Sequence, residues 1–541
     1  MADTATLHPA GLRDELCPTV LVADGLAGEG LALLHEQAEV VVATCLTEQQ
    51  LVARIPRFDA LIVRSQTKVT AGVLAAGRQL RIVARAGTGV DNIDLTEATR
   101  RGVIVVNAAT ANTHAAVEHT LALILSLARH VPEAHASVQR HEWQRSRFIG
   151  VELHGKILGI IGLGRIGSLV ARRAQAFEMT VIAHDPFVPE DRARQLGVQL
   201  RSLDDLLQRA DFVSVHAPLT NSTAGLLGAE RLALLKPTAR LVNCARGGIV
   251  DEHALARVLV EGRLAGAAVD VFAEEPPQES PLVAAPNVVL TPHLGASTQE
   301  AQRGVALDVA EQTLAALRGE YVAGAMNAPF ILTDALALLS PYLDLAERLG
   351  SFLRQVAGGR VDEVDIALAG SLAEHDSAPL TAAALKGLID PITDERINIV
   401  NARHIARDRG LRVRERKDGA AASNYANLIE LRVHTGSETR LVAGTILNDI
   451  PRIVRIDDFD IDVHPFGQLL FTTHQDRPGV IGRVGTMLGA GDVNISRMQV
   501  GRHVPRGESI MVLNVDELVP AELLTELVDI PHLQAIIQVS L

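Results

Sequence analysis

Short apolar runs alternate with more polar stretches from Val20 onward. The first runs are TVLVADG, EVVVATC, DALIVRS, LRIVARAG and GVIVVNA. Alternation of strand-like runs with helical stretches predicts a parallel sheet that carries helices on both faces. We therefore expect a small α/β domain here, preceded by a poorly ordered tail over residues 1–17.

A second set of strands follows a long helical stretch. Residues 115–131, AAVEHTLALILSLARHV, are apolar at helical spacing and predict one connecting helix. The later runs DFVSVHAPL, ARLVNCARG, GAAVDVF and NVVLTPHLG each end in polar residues. Because ligands of open α/β sheets bind outside the carboxyl ends of the strands, these polar ends are expected to line one crevice.

The last third of the chain has a different rhythm. A helix that starts near Ser297, with Glu300 in its first turn, is expected to return the chain to the first domain. At residues 327–333, NAPFILT, the pattern changes, and a second α/β region with an Arg-rich stretch follows over residues 331–465. Residues 468–541 predict a compact terminal unit.

Composition narrows the possible functions. The 541 residues carry a formal net charge of −13, which argues against a general nucleic-acid surface. The three cysteines have no C-x-x-C spacing, so neither a disulfide framework nor a metal site is expected. Without a secretory signal or a long apolar run, a cytoplasmic location is the simplest expectation.

A glycine-rich turn follows one of the strands. Residues 157–167, ILGIIGLGRIG, place Gly162, Gly164 and Gly167 in a G-x-G-x-x-G pattern between a strand and a helix. Such a turn brings backbone N–H groups and a helix N-terminus to a pyrophosphate. Asp185 ends the next strand, where its carboxylate can bind a ribose diol and repel a 2′-phosphate, so NAD is the expected cofactor.

Three further strand ends offer groups for the reduction of a ketone. Arg246 presents a planar fork for a carboxylate or a ketone oxygen, and His293 can donate and accept a proton. Glu275 can orient the imidazole and raise its pKa. Glu274 is an equal rival, because spacing alone does not distinguish the two carboxylates.

These motifs resemble those of a known family. GLGRIG, NCARGGIVDE, DVFAEEPP and PHLGAST, together with RAGTGVDNID at residues 85–94 and IVRSQTKVT at residues 62–70, resemble the D-isomer-specific 2-hydroxyacid dehydrogenases. Length and the C-terminal region resemble the long-form phosphoglycerate dehydrogenases. The resemblance implies NAD-dependent oxidation of D-3-phosphoglycerate, the first step of serine synthesis.

The resemblance also implies a fold and a set of site residues. It predicts a Rossmann-type domain at 114–297 inserted in a flavodoxin-like substrate domain at 18–113 and 298–330. It makes Arg246, Glu275 and His293 catalytic and adds substrate contacts at Arg64, Lys68 and Gly87. The implied cofactor contacts beyond the three glycines are Thr88, Arg165, Ile166, Asp185, Cys244, Ala245 and Asp270. At Ala217 relatives often have threonine, so one cofactor hydrogen bond is expected to be missing.

Two C-terminal domains are implied as well. Residues 468–541 resemble the ferredoxin-like ACT domain, in which His474, Asp476 and Asn494 match positions that bind L-serine in relatives. An interface-only role is the alternative. Residues 331–465 resemble an anion-binding allosteric domain, or else they present a solvated helix face and an exposed strand. The candidate anion ligands are Lys386, Arg403, Arg407 and Arg409.

The resemblance also bears on self-association and on alternative functions. The segment that carries Trp143, Arg145 and Arg147 is expected to reach a neighbouring subunit, which together with the ACT unit predicts a homotetramer. The partners are otherwise a small-molecule substrate and L-serine, without nucleic acid or membrane. The alternatives are a dehydrogenase for glycerate or 2-hydroxyglutarate, and a non-catalytic scaffold that resembles the C-terminal-binding corepressors.

Overall fold

A computed structural model gives the structure of the protein. It describes residues 17–322, 324–329, 331, 333–389, 396–418, 424–436 and 438–541, so the expected tail lies outside the described residues apart from Cys17. These ranges form four sheets of five, seven, six and four strands. None of the helices within them is long and apolar enough to cross a membrane.

The first sheet is parallel, with strand order β2-β1-β3-β4-β5. Its strands are mostly apolar because helices cover both faces. The elements in chain order are β1 Thr19–Val22, α1 Gly28–His35, β2 Glu39–Val42, α2 Glu48–Arg54, β3 Ala60–Val63, α3 Ala71–Ala76, β4 Ile82–Arg85, α4 Leu95–Arg100 and β5 Ile104–Asn107.

The second sheet is also parallel, with order β12-β11-β10-β9-β6-β7-β8, and the order reverses at β6. Its elements are α5 Thr113–Arg129, α6 Val131–Gln139, β6 Ile157–Ile161, α7 Arg165–Ala176, β7 Thr180–His184, α8 Glu190–Gln195, β8 Gln199–Leu200, α9 Leu203–Arg209, β9 Phe212–Val215, α10 Ala229–Leu232, β10 Arg240–Asn243, α11 Glu252–Val260, β11 Gly266–Val269, β12 Val288–Leu290 and α12 Gln299–Leu317. The predicted single helix over 115–131 ends at Arg129, because His130 takes a left-handed conformation (φ 53°).

Helix α12 returns to the first sheet. Thr298 caps its N-terminus by accepting a hydrogen bond from the backbone N–H of Ala301 at 3.1 Å. Val305, Val309 and Leu314 then join the core under that sheet. The return places a helix from beyond the second sheet on the first one, as the pattern at residues 297–300 predicts.

The third sheet is mixed, with order β14-β13-β15-β16-β17-β18, in which only β13 and β14 run parallel. Helices α13 and α14 pack tightly against each other, since a Cβ at Gly350 or Gly387 would overlap the facing backbone. Its elements are α13 Thr333–Val356, β13 Val361–Gly370, α14 Ala378–Ile389, α15 Ala402–Asp408, β14 Arg412–Asp418, β15 Asn427–Thr435, β16 Thr439–Leu447, β17 Ile450–Ile456 and β18 Phe459–Val463.

The fourth sheet is antiparallel, with order β20-β21-β19-β22. Its elements follow the predicted βαββαβ order: β19 Gln468–Gln475, α16 Val480–Ala490, β20 Ile495–Arg502, β21 Glu508–Val515, α17 Ala521–Val528 and β22 Leu533–Ser540. Leu470 faces its own helices, whereas Leu469 and Phe471 join the core built around α13. The Phe352 and Phe471 rings meet edge to face at 5.9 Å. The third and fourth sheets therefore share one hydrophobic core.

Candidate functional site

The three glycines after β6 serve different purposes. Gly162 has φ 93°, and a Cβ there would lie 2.7 Å from the carbonyl oxygen of His216. A Cβ at Gly167 would overlap the carbonyl oxygen of Gly162. Gly164 has no atom within 4 Å of the position its Cβ would take, and it caps α7. The middle glycine thus faces open space in front of a helix N-terminus, which fits a pyrophosphate.

Asp185 braces this glycine-rich turn. Its Oδ2 atom accepts a hydrogen bond from the backbone N–H of Leu163 at 2.8 Å, and its Oδ1 atom accepts one from Phe187 at 2.9 Å. The carboxylate remains partly exposed beside the turn. Each oxygen accepts one bond and can accept another, so the group is suited to a ribose diol as well.

Replacement of Asp185 is expected to alter the choice of cofactor. Asp185→Ala removes both the brace and the charge, and we expect it to raise the KM for NADH about tenfold, as for the loss of a charge-assisted hydrogen bond. Asp185→Asn keeps an acceptor for Leu163 and removes only the charge, so its main effect is expected to be a lower KM for NADPH. Steady-state kinetics with both cofactors measure this. Unchanged KM values for both cofactors in both variants would contradict the assignment.

His293 and Glu275 lie in direct contact. The Nδ1 atom of His293 is 2.9 and 3.0 Å from the two carboxylate oxygens of Glu275, and both side chains are partly exposed. Burial opposes ionisation of Glu275, but the hydrogen bond and charge of His293 outweigh it and hold the pKa of the carboxyl below its ordinary value. Glu274 is exposed. The geometry favours Glu275 over Glu274 as the partner of the imidazole.

Asp270 holds the turn that presents His293. Its carbonyl oxygen accepts the backbone N–H of His293 at 2.9 Å, while its carboxylate accepts those of Leu294 and Gly295 at 2.8 and 3.0 Å. His293 has φ 55°, a conformation uncommon for a residue with a side chain. Several hydrogen bonds to one neighbour therefore stabilise a strained backbone at this position.

A second histidine, His119 on α5, lies behind the same turn. Its Nε2 atom is 3.1 Å from Oδ1 of Asp270 and 3.2 Å from the hydroxyl of Thr291, which itself donates to Asp270 at 2.5 Å. Burial opposes ionisation of Asp270, but these bonds lower the pKa of its carboxyl. Sequence reasoning missed His119. The feature that could have indicated it is a histidine in the middle of a mostly apolar helix. Among the described residues, the Oδ2 atom of Asp270 accepts only the bond from Gly295, and the expected contact with the nicotinamide stays a prediction.

An arginine cluster lies beside this region. The Nε atom of Arg246 is 3.0 Å from Oδ2 of Asp91, across the boundary between the two parallel sheets. A Cβ at Gly89 would overlap the Arg246 guanidinium, and one at Gly87 would overlap that of Arg85. These glycines therefore leave the space that the two arginines occupy.

Arg85, which the sequence analysis missed, ends strand β4. Burial, together with the nearby Arg246, lowers the pKa of Arg85 to about 10, and Arg64 adds to the effect. Its buried Nε atom has no hydrogen-bond partner among the described residues. Arg64, Arg85 and Arg246 thus lie close enough for their charges to interact, and Asp91 pairs directly with Arg246. The available signal was the position of Arg85 at a carboxyl end of a strand, the rule that pointed to the other candidates.

The loop that carries Arg64 and Lys68 is held from below. Asp24, which is almost fully buried, accepts the backbone N–H of Arg64 at 2.5 Å and the hydroxyl of Thr67 at 2.8 Å. The Asn92 amide donates to the carbonyl oxygens of Arg64 and Thr67 at 2.7 and 2.6 Å. Lys68 is exposed. The loop is fixed while its cations remain accessible.

The other expected cofactor residues surround the glycine-rich turn and β10. Burial and the charge of Asp270 raise the pKa of the Cys244 thiol to about 12, which fits a packing residue better than a nucleophile. Thr88 donates to the Asn112 side chain at 2.8 Å, and Arg165 donates to the carbonyl oxygen of Ala109 at 2.9 Å. The remaining expected contacts, Ile166 and Ala245, are partly buried, and so is Ala217, where a cofactor hydrogen bond is expected to be missing. These expectations about the cofactor stay predictions.

The predicted subunit segment is open to solvent. Trp143 is 80% exposed and Ile149 is 78% exposed, and a short helical turn, Arg145–Phe148, lies between them. Large apolar side chains with this exposure are typical of contact surfaces. The contact with a second subunit stays a prediction.

The candidate effector residues are already partnered in part. Asp476 accepts the Arg502 guanidinium at 2.7 Å, which together with the bond from the backbone N–H of Arg506 lowers the pKa of its carboxyl. The Asn494 amide donates to Asp516 at 2.6 Å. His474 is 1% exposed, and its Nδ1 atom has no partner within the described ranges. Of the three, His474 offers an unused polar atom.

The candidate anion ligands of the third sheet are likewise engaged. The ammonium group of Lys386 lies 2.6 Å from Glu347, and the Arg403 guanidinium pairs with Glu415. Arg407 donates to His404 at 3.0 Å, and Arg409 is partly exposed. Strand β14 is mostly exposed. These contacts favour the alternative of a solvated helix face and an exposed strand, and the anion site stays a prediction.

Known proteins match nearly the whole chain. It is 48% identical over 510 residues to D-3-phosphoglycerate dehydrogenase from Synechocystis, covering 94% of this chain and 92% of that protein. It is 44% identical over 523 residues to the protein of the same name from Methanocaldococcus jannaschii, covering 96% and 99%. The chain belongs to the D-3-phosphoglycerate dehydrogenase family.

Sequence models of three domain families match successive parts of this family member. The NAD binding domain of D-isomer specific 2-hydroxyacid dehydrogenases matches residues 121–295. The D-3-phosphoglycerate dehydrogenase intervening domain matches residues 338–457, and the ACT domain matches residues 468–532. The predicted Rossmann-type and ACT folds and the NAD cofactor are confirmed.

Solved structures match more than half of the chain. The TT0316 protein from Thermus thermophilus superposes with a TM-score of 0.54 at 37% identity, over 57% of this chain and 99% of its own. D-Lactate dehydrogenase from Aquifex aeolicus, solved with NAD and lactic acid, superposes with a TM-score of 0.52 at 26% identity, over 56% and 96%. The chain therefore shares a fold, over more than half of its length, with proteins that match it along almost their whole chains.

Proposed function

We propose that the chain oxidises D-3-phosphoglycerate to 3-phosphohydroxypyruvate with NAD⁺, the first step of L-serine synthesis. The observation that carries the proposal is the contact between His293 and Glu275. Three arginines, Arg64, Arg85 and Arg246, lie close to one another in the same molecule. A histidine–carboxylate pair supplies acid–base chemistry, and the arginines suit a substrate with two anionic groups. The names of the relatives support the same substrate.

Each chemical role falls to a residue of this chain. The glycine-rich turn and Asp185 would hold NAD⁺, which would supply the hydride acceptor for C2 of the substrate. His293 accepts the hydroxyl proton at Nε2, since its Nδ1 atom faces Glu275 at 2.9 Å. The Glu275 carboxylate, whose pKa is lowered, stabilises the imidazolium that forms. Arg246 binds the substrate carboxylate and polarises the oxygen on C2.

The substrate phosphate is assigned to the remaining cations. Arg64 and Arg85 are close enough for their charges to affect each other, and Lys68 lies exposed on the same loop as Arg64. Arg85 has a buried Nε atom without a partner among the described residues. A phosphate would accept charge-assisted hydrogen bonds from these cations.

Two ketones that differ only in the phosphate test this proposal. We expect NADH oxidation with 3-phosphohydroxypyruvate to exceed that with hydroxypyruvate by about 10²-fold in kcat/KM, because charged hydrogen bonds are lost with the phosphate. The ratio is measured on the wild-type chain by following NADH absorbance. Equal rates for the two ketones would remove the phosphate from the proposal, and faster turnover of 2-oxoglutarate would point to a 2-hydroxyglutarate dehydrogenase.

We further propose that L-serine, the product of the pathway, inhibits the enzyme at the ACT domain and that the assembly is a homotetramer. The Nδ1 atom of buried His474, which has no partner in the part of the chain that the structure describes, and the partly exposed carboxylate of Asp476 support an amino-acid site. The exposed Trp143 segment and the ACT domain supply two separate surfaces for self-association. Two such contacts in one subunit are enough to build a tetramer.

Serine inhibition is expected to weaken when Asn494 is changed. In Asn494→Ala the effector loses an amide partner, and we expect the serine concentration for half-inhibition to rise about tenfold, as for one or two lost hydrogen bonds. Glu526→Ala, at an exposed position on α17, is the matched control and is expected to respond as wild type. Inhibition curves with 3-phosphohydroxypyruvate measure both. Wild-type turnover that serine does not change would reduce the ACT domain to an assembly role.

A further inference from the structure

Two asparagines that precede α15 connect the domain of the third sheet to the domain of the first sheet. The Asn398 amide donates to the carbonyl oxygen of Gly102 at 2.6 Å. Asn401, whose side chain is 1% exposed, donates to the carbonyl oxygens of Arg396 and Arg100 at 2.9 and 3.5 Å. Its own amide oxygen accepts the backbone N–H of Asn398 at 2.9 Å. The two asparagines thus brace each other while they hold backbone of the first domain.

The contact at Gly102 is closely fitted. Gly102 has φ 67°, and a Cβ there would lie 2.8 Å from Nδ2 of Asn401 and 3.0 Å from Nδ2 of Asn398. A side chain would displace both amides. The turn that follows α4 is therefore shaped to receive these two groups.

Helix α4 connects this contact to the substrate loop. It has only six residues, and its N-terminus is capped by Asp94, whose carboxylate accepts the backbone N–H of Glu97 at 3.0 Å. Asp94 also donates its backbone N–H to the carbonyl oxygen of Val69 at 3.0 Å. The asparagines thus hold the C-terminal end of α4, and the N-terminal end of α4 follows directly after residues 85–94.

Residues 85–94 in turn order the cationic groups of the cleft. Asn92 donates to the carbonyl oxygens of Arg64 and Thr67, and Asp91 pairs with Arg246 at 3.0 Å. A displacement of the start of α4 would therefore move partners of both the phosphate loop and the substrate arginine. The glycine-rich turn lies in the second sheet, outside this series of contacts.

We propose that Asn398 and Asn401 are positioning residues for substrate: through α4 they set the geometry of residues 85–94 and of the Arg64 loop. Because the third sheet shares its core with the ACT sheet, the two asparagines also connect the ACT domain to the substrate cleft. The proposal rests on the proposed function for the identity of the substrate. It gives the intervening domain a direct part in substrate affinity.

Asn398→Asp tests the contact with little change in shape. The carboxylate keeps an acceptor for the backbone N–H groups of Val400 and Asn401, and it replaces the donor to Gly102 by an anionic oxygen that repels that carbonyl oxygen. We expect the KM for 3-phosphohydroxypyruvate to rise roughly three- to tenfold, as for one lost hydrogen bond, while kcat and the KM for NADH stay within about twofold. Asp408→Asn, on the exposed side of α15, is the control and is expected to match wild type.

Hydrogen–deuterium exchange gives a readout that needs no turnover. Peptides covering residues 85–104 are expected to exchange faster in Asn398→Asp than in Asp408→Asn, while the glycine-rich turn is unchanged. An unchanged KM together with unchanged exchange would overturn the proposal, and so would a fall in kcat at constant KM. If the wild type does not turn over this ketone, the proposed function fails separately, and the exchange comparison alone decides.

Discussion

Replacing His293 by alanine is expected to lower kcat by about 10²–10⁴-fold, the usual contribution of a positioned general acid–base group. The imidazole contacts Glu275 through Nδ1, so Nε2 is the atom left to exchange a proton with the substrate. The KM for NADH should change little, because the cofactor turn lies on a different strand end. Steady-state rates with 3-phosphohydroxypyruvate measure the loss.

Glu275→Gln provides the matched comparison. The amide oxygen can still accept a hydrogen bond from Nδ1 of His293, but the negative charge that stabilises an imidazolium is absent. We therefore expect a loss smaller than that of His293→Ala, together with a lower apparent pKa for the group that must be protonated in ketone reduction. A His293→Ala variant with a normal rate would remove His293 from the chemistry.

Replacing Arg246 by alanine is expected to damage both kcat and KM, with a combined loss of about 10³-fold in kcat/KM. The guanidinium offers two charge-assisted hydrogen bonds to a carboxylate, each of which is worth roughly 1.5–3 kcal/mol. The loss also removes the ion-pair partner of Asp91, which lies 3.0 Å from Arg246, and so adds net negative charge to the cleft. Like charge beside an anionic substrate adds to the increase in KM.

Arg246→Lys distinguishes the effect of the positive charge from that of the planar pair of guanidinium donors. Lysine restores one positive charge but not the planar pair of donors, so we expect partial recovery of KM and little recovery of kcat. Full recovery of both constants would show that only the charge matters. Unchanged kcat/KM in Arg246→Ala would exclude Arg246 from the substrate site.

The glycine-rich turn and the strand-end chemistry could be predicted because their signals are local. Gly162, Gly164 and Gly167 follow one apolar run, and the backbone requirements of a phosphate turn are met by glycine alone. The local sequence does not show whether Glu274 or Glu275 pairs with His293. The two residues are adjacent and identical, and the folded loop alone decides which side chain faces the imidazole. Only the contact with His293 favours Glu275.

Residues that act from a distant element were missed. His119 lies on an apolar helix in the sequence, and its relation to Asp270 exists only when α5 packs behind β11 and β12. Arg85 begins the motif RAGTGVDNID, but nothing along the chain shows that its guanidinium is buried beside Arg246. Long-range packing of this kind leaves no periodic trace in a single sequence.

The division between the last two domains was also seen only in part. The run QLLFTTH predicts a strand. It does not show which elements the strand packs against: Leu469 and Phe471 pack on α13, whereas Leu470 packs on α16 and α17. A strand that is apolar on both faces indicates burial on both sides without naming the neighbour. The shared core is what joins the third and fourth sheets.

The most direct test of the central claim is NADH formation from NAD⁺ and D-3-phosphoglycerate, with the ketone product trapped chemically. We expect the wild-type chain to form NADH with this substrate far faster than with D-glycerate or 2-hydroxyglutarate, and His293→Ala to form almost none. NADH formation from one of the other two acids but not from D-3-phosphoglycerate would contradict the assigned substrate. No NADH from any of them, with NADH binding intact, would contradict the enzyme itself.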